Sequence, residues 1–236
     1  MKLKTFILLA FLLCMQYANA QAALFALLFG DKVASENFNI GLEIGIPYAS
    51  ISSASGTSSK AGITFGIAGN IKLSDNWSVH PSAYFLSRRG GKFDQLSLIS
   101  DDAELNGKFQ NVPTQLTLNY IDVPVFLNYR FTDSNIKLGI APQVSFITGS
   151  DAVFTNAQGK FGYSVKDVTN SVDFGMIFQL GYILHSNKFN KDIHMHLRYF
   201  QGFNDVYAND FIPGTNKSSY VGVAFSFPFI AKTENE

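Results

Sequence analysis

Hydrophobic and polar residues in this chain alternate with a period of two. Phe38, Ile40, Leu42, Ile44, Ile46 and Tyr48 fall on one face of an extended segment, and Asn39, Gly41, Glu43, Gly45 and Pro47 fall on the other, because successive strand side chains point to opposite faces. The pattern returns in residues 63–73, 77–88, 121–131, 136–146, 172–184, 193–199 and 221–229. In the sixth run, Phe174, Phe178, Leu180, Tyr182 and Leu184 oppose Asp173, Gly175, Gln179 and Gly181. The expected fold is all-β, with eight antiparallel strands of about ten residues, the length that crosses a bilayer obliquely.

Side-chain volume decides which face is inside. An eight-stranded barrel has an interior just wide enough for side chains to fill it. The apolar face is Ile, Leu, Val, Phe and Tyr almost throughout and would overfill that space. The polar face mixes Gly, Ala and Ser with scattered charges that can pair in a closed lumen. The apolar face is therefore expected outward, toward lipid, which makes the fold a transmembrane β-barrel. With the apolar face inward, the chain would instead be a soluble ligand-binding barrel of the periplasm.

The connections are asymmetric. Residues 74–76, 132–135 and 185–191 are short turns, while 49–60, 89–114, 149–169 and 204–217 are long. This is the asymmetry of an outer-membrane barrel with short turns in the periplasm. Trp77, Tyr129, Phe131, Tyr182, Phe225, Phe227 and Phe229 stand near strand ends, where an aromatic girdle is expected. Five prolines, at 47, 81, 124, 142 and 228, are expected at strand ends or bulges because each removes a ladder donor. Phe126 intrudes on the polar face. Leu116, Leu118 and Tyr120 have the opposite parity to Ile121 onward, the mark of a bulge or of an extension above the membrane.

Composition removes several classes. Among 236 residues, 18 Lys+Arg balance 18 Asp+Glu, so nucleic acid is not an expected partner. The hydrophobic content of 47% excludes disorder, and the single cysteine, Cys14, excludes a disulfide framework. Lys2 and Lys4 precede an apolar run that ends at Ala18-Asn19-Ala20, so residues 1–20 read as a cleaved signal peptide and the protein as exported. Residues 21–37 then form an N-terminal periplasmic arm with a short helix near 22–29, residues 38–230 the barrel, and residues 231–236 a tail.

Candidate chemistry lies on the polar face. Glu43, Arg88, Asp122, Arg130, Asp173 and Arg198 form the expected lumen charge network, a structural plug rather than an ion path. His194 and His196, with His80 or Asp192, contain metal-ligand types, but a pair two residues apart is a common result of alternation, and no metal or other cofactor is expected. A lipid-modifying enzyme would need a nucleophile near the outer leaflet. The serines at 50, 52, 53, 55, 58 and 59 read more simply as a flexible loop, and Gly-x-Ser-x-Gly does not occur.

The segment Asn119-Tyr-Ile-Asp-Val-Pro-Val-Phe-Leu-Asn-Tyr-Arg-Phe131, with its Tyr-Ile-Asp-Val-Pro signature, resembles the outer-membrane β-barrel family of Bacteroidetes that includes PorT-like proteins. Leu28-Phe-Gly-Asp-Lys-Val-Ala-Ser-Glu36 resembles a leader found in some members. The resemblance implies an eight-stranded outer-membrane barrel and no reaction. Its PorT-like members are linked to protein secretion, which implies an envelope or secretion protein as partner beside outer-membrane lipid. Unlike many barrels, the chain continues past its last strand aromatics, through Ala231 to Glu236. The function expected is non-enzymatic, an envelope structural or partner-binding role, with an outer-membrane lipid-modifying enzyme as the alternative.

Overall fold

The computed structural model describes residues 38–53, 56–186 and 191–228. The signal peptide, N-terminal arm and C-terminal tail expected from the sequence lie outside the described residues. The strands are β1 (Phe38–Ile51), β2 (Thr57–Ala61), β3 (Ile63–Lys72), β4 (Trp77–Leu96), β5 (Val112–Arg130), β6 (Ile136–Asn156), β7 (Gly159–Ser164), β8 (Val172–Ser186), β9 (Lys191–Asp205) and β10 (Lys217–Pro228). One short helix, α1 (Ala103–Lys108), joins β4 to β5, and Asp102 caps it by accepting from the amides of Glu104 and Leu105.

These ten strands occupy eight staves. β2 and β3 both pair with β1 and β4 and share one stave, broken at Gly62, where a Cβ would collide with the Arg88 carbonyl oxygen. β7 pairs with β6 above the stretch of β6 that pairs with β8, so it prolongs the β8 stave. The sheet closes where β1 meets β10, in unbroken antiparallel register from Gly41 opposite Pro228 to Ile51 opposite Ser218.

Facing changes along the barrel axis. Toward the turn end, apolar residues point outward. Leu138, Leu180, Leu197, Val223 and Ile46 lie side by side in register on five successive staves, and all five are exposed. Among the described residues no helix is long and apolar enough to cross a membrane. The strands carry the apolar band, and the inward-facing soluble barrel is excluded. Toward the loop end the polarity reverses. Leu116, Leu118, Phe93, Ala152 and Phe154 are buried inside, with Val206, Tyr207, Phe211 and Ile212 folded over them.

That reversal bears on two expectations. The stretches read as long loops are largely ordered. β4, β5 and β6 run for 20, 19 and 21 residues because a second apolar core holds their upper ladders together. The serine-rich stretch likewise contains β2. The change of parity at Tyr120 is the expected extension above the membrane and no bulge in β5, whose even-numbered residues stay inward from Thr114 to Asn128. What changes there is the solvent outside, so the inward residues switch from apolar to polar. The bulges sit on its neighbours, at Phe85-Leu86 in β4 and at Thr148 in β6.

The prolines also depart from expectation, since Pro47, Pro81, Pro124 and Pro142 lie within strands. The register pairs adjoining Pro124 and Pro142 are missing from the β4–β5 and β5–β6 ladders, a local loss that the surrounding pairs tolerate. The facing itself is testable. Replacing Leu180 by Arg should cost about 2 to 4 kcal/mol in lipid vesicles. Gly181→Ala should cost less, because its Cβ would meet only side-chain atoms, His196 Nδ1 at 3.1 Å and Lys137 Cβ at 3.4 Å. Urea titration of both variants measures the difference, and a Leu180→Arg barrel as stable as the native one would contradict the outward placement.

Candidate functional site: the barrel interior and its outer cap

Two layers of side chains fill the bore inside the apolar band. In the lower layer Glu43 of β1, 1% exposed, is gripped by Arg198 of β9, whose Nη1 donates to Glu43 Oε1. The Tyr84 hydroxyl of β4 donates to the same oxygen at 2.5 Å and lies 2.8 Å from Arg198 Nη1. Arg198 Nε donates to Gln179 Oε1 at 2.7 Å, and Gln179 Nε2 donates to Asn128 Oδ1 at 3.1 Å, so the chain of contacts crosses to β8 and β5. The intruding Phe126 has a role here. Its ring lies 4.6 Å beneath the Arg198 guanidinium, covering it on a face that no hydrogen bond uses.

The upper layer repeats the design on different staves. Arg89 of β4 forms a fork with Asp122 of β5, Nη1 to Oδ2 at 2.8 Å and Nη2 to Oδ1 at 3.2 Å, the bidentate geometry that favours arginine over lysine. Its Nη2 lies 3.4 Å from Ser145 Oγ of β6. The Tyr120 ring sits 3.9 Å from the guanidinium carbon, and the Phe200 and Tyr220 rings each lie at 5.3 Å. Asp173 of β8 is fully buried one strand beyond, in register with Ser145.

Of the six charges expected in the lumen, Glu43, Asp122, Asp173 and Arg198 are there, divided between the two layers. Arg88 and Arg130 are not. The Phe85-Leu86 bulge inserts one residue into β4 and reverses its facing, so Arg88 points outward and donates to Asn119 Oδ1 at 3.1 Å while Arg89 takes the lumen position. Arg130 keeps the inward parity, but it is the last residue of β5 and is exposed at the turn-end mouth, where Nε donates to the Ser134 carbonyl at 3.3 Å. The sequence signal for Arg89 was present. Two adjacent apolar residues, Phe85 and Leu86, interrupt an otherwise alternating run, and both are exposed.

The histidines join the lower layer rather than forming a ligand set. His80 Nε2 lies 3.6 Å from Glu43 Oε2, and the His80 and His194 rings stand 6.3 and 6.2 Å from that of His196. Among the described residues no three His, Cys, Asp or Glu side chains gather as a metal site. A cavity beside Gly45, Tyr84, Arg198 and Tyr220 holds about 10 Å³, the space of a single water.

Above the bore the cap is fastened by Asn216. Its Oδ1 accepts from the amides of Val206 and Tyr207 at 2.8 and 2.6 Å, and its Nδ2 donates to the carbonyls of Tyr207 and Ile212, both at 3.1 Å. Tyr207 shares a hydrogen bond with Ser150, at 3.2 Å between the hydroxyls. Burial raises its phenol above the usual range, so it stays a neutral hydroxyl that bonds without a charge.

A closed barrel with a lipid-facing band, a bore packed by ion pairs and a cap over one end defines a small integral outer-membrane protein. The chain belongs to the outer membrane protein beta-barrel domain family, whose model matches residues 19–208. No curated protein sequence matches it. Among solved structures it is similar to Neisserial surface protein A, with 13% identity over 80% of this chain and 96% of that one and a TM-score of 0.42. The attachment invasion locus protein Ail of Yersinia pestis gives 11% identity over 82% and 99%, with a TM-score of 0.42. The outer membrane protein AlkL, solved in lipid bilayers, gives 13% identity over 86% and 96%, with a TM-score of 0.38.

The buried fork between β4 and β5 should behave as a pair. Arg89→Met or Asp122→Asn alone should each cost about 3 to 5 kcal/mol, because each leaves a buried group without its partner. The double variant Arg89→Met/Asp122→Asn should lose much less than the two single losses combined. A double-mutant cycle by denaturant unfolding in vesicles measures this, and strict additivity would show that the two groups are not coupled.

Proposed function

We propose that this protein is a non-enzymatic, non-conducting outer-membrane barrel that presents its capped loop end to a protein partner of the envelope. The single observation behind this reading is the filled bore, which the Glu43–Arg198 and Arg89–Asp122 pairs span together with Phe126, Ile177, Phe200 and Tyr220. Eight staves leave no room for both this packing and an aqueous path. A bore without passage leaves the surfaces as the places where function can reside.

The loop end is the better surface. It is a walled extension with its own apolar core, so it holds a fixed shape for recognition, whereas the turn end consists of short connections. With short turns in the periplasm, that extension faces outside the cell. The resemblance to PorT-like barrels makes a component of protein secretion one candidate partner, and in-cell cross-linking from the cap followed by identification of the captured protein tests it. No reaction is assigned to the barrel, and deletion of its gene should leave the acylation pattern of envelope lipids unchanged.

Two measurements check this reading. In planar bilayers the purified full-length chain should give no large, steady conductance, and such a conductance altered by Arg198→Met alone would establish an ion-selective pore. On intact cells an epitope inserted at Asp133, in the β5–β6 turn, should stay hidden while one inserted at Gln158, in the β6–β7 turn, should be labelled. The reverse pattern would invert the topology.

A further inference from the structure

On the outer wall, just beyond the apolar band, four cations lie on neighbouring elements. Outward residues of β4 change from Phe85 and Leu86 to Arg88 and Lys92, those of β5 from Ile121 to Asn119 and Thr117, and those of β6 from Phe146 to Thr148. Lys60 of β2 reaches across β4 at the level of Gly90, and its Nζ donates to Thr117 Oγ1 of β5 at 2.5 Å. Arg88 donates to the Asn119 side chain, and the Asn119 carbonyl accepts from Thr148 Oγ1 at 3.2 Å. Lys166, in the 3-10 turn after β7, folds down to the Thr148 carbonyl at 3.2 Å.

None of the four has a carboxylate within 4.0 Å among the described residues, although Lys72 and Lys108 each hold one. Asp94 and Asp151 are acids exposed on the same wall, Asp151 lies in register with Thr117, and the exposed Asp167 follows Lys166 in its turn. Partial burial, then Arg88, then Lys92 push the Lys60 ammonium below the usual lysine range. Holding like charges together without counter-charges is unfavourable, and a phosphate is the group that relieves it, since Arg offers a fork and Lys a point charge.

We propose that Lys60, Arg88, Lys92 and Lys166 bind the phosphate of a membrane lipid headgroup at the loop-end edge of the apolar band. A lipid is favoured over a free anion by position. Arg88 is the next outward residue after Leu86, so an anion held there has its acyl chains against Leu86, Phe85 and Ile121. Headgroup attraction and hydrocarbon contact then act on one molecule. The site goes beyond the partner-binding reading and is independent of it.

The test uses the full-length barrel in neutral detergent micelles and a fluorescent monophosphorylated glycolipid as probe. The K60Q/R88Q/K92Q variant should bind about tenfold or more weakly, while K108Q/K160Q/K217Q, which loses as much charge elsewhere, should bind as the native chain does. Asp151→Asn should tighten binding, and the dephosphorylated lipid should bind native and variant barrels alike. The heat-shifted gel mobility of a folded barrel checks each variant, and Arg88→Gln alone serves if the triple variant does not fold. Equal binding by the two triple variants would overturn the site. Full displacement by millimolar inorganic phosphate would make it a free-anion site and overturn the lipid assignment. Binding in micelles does not depend on which barrel end faces outward, so this result stands apart from the epitope test of topology.

Discussion

The closure of β1 against β10 is the interaction on which the rest depends. Hydrocarbon offers no partner to a peptide group, so a sheet crosses it only when its two edges satisfy each other. Here the seam runs without interruption from Gly41 to Ile51. Closure at eight staves fixes the diameter, and the diameter fixes how much side chain the interior can hold. The small residues on the inward face, Gly45, Ala141, Ser145, Gly175 and Gly181, make room for the two large arginines and their aromatic covers.

A buried ion pair is weak support for a fold, because desolvation offsets much of its attraction. Its value in this barrel is geometric. Glu43 on β1 and Arg198 on β9 lie on staves to either side of the β10 stave, while Arg89 and Asp122 join β4 to β5. Each removes the same space from the bore that an apolar side chain would, yet each also fixes a relative position of staves that apolar contacts leave free to slide. The price of a slip is a stranded charge.

The barrel stands in two solvents, and its sequence changes with them. In the band, lipid outside requires apolar outward residues, and the bore receives the polar ones. Beyond the band, water outside requires the opposite. The strands continue through this change without breaking, because the ladder is indifferent to which side is wet. The β4 bulge at Phe85-Leu86 falls at this boundary, and the β6 bulge at Thr148 falls beside it. Bulges there re-aim the residues above, and they set Arg89 into the bore and Arg88 onto the wall beside Lys60.

The sequence by itself determined the strands, their facing in the band and the fold class, since these follow from period-two alternation and from the volume an eight-stranded interior can hold. Leu180, Leu197 and Val223 are outward, and Glu43, Asp122, Asp173 and Arg198 inward, as their parity required. Only the tertiary structure decided which charges meet. Parity assigns a face but carries no height, so it put Arg130 in a lumen whose mouth it occupies, and it could not separate two layers of pairs. One inserted residue in β4 exchanged Arg88 for Arg89. The upper core was hidden for a related reason: Leu116, Phe154 and Ile212 come together from segments far apart in the chain, and their apolar character acquires its inward meaning only where the strands leave the lipid.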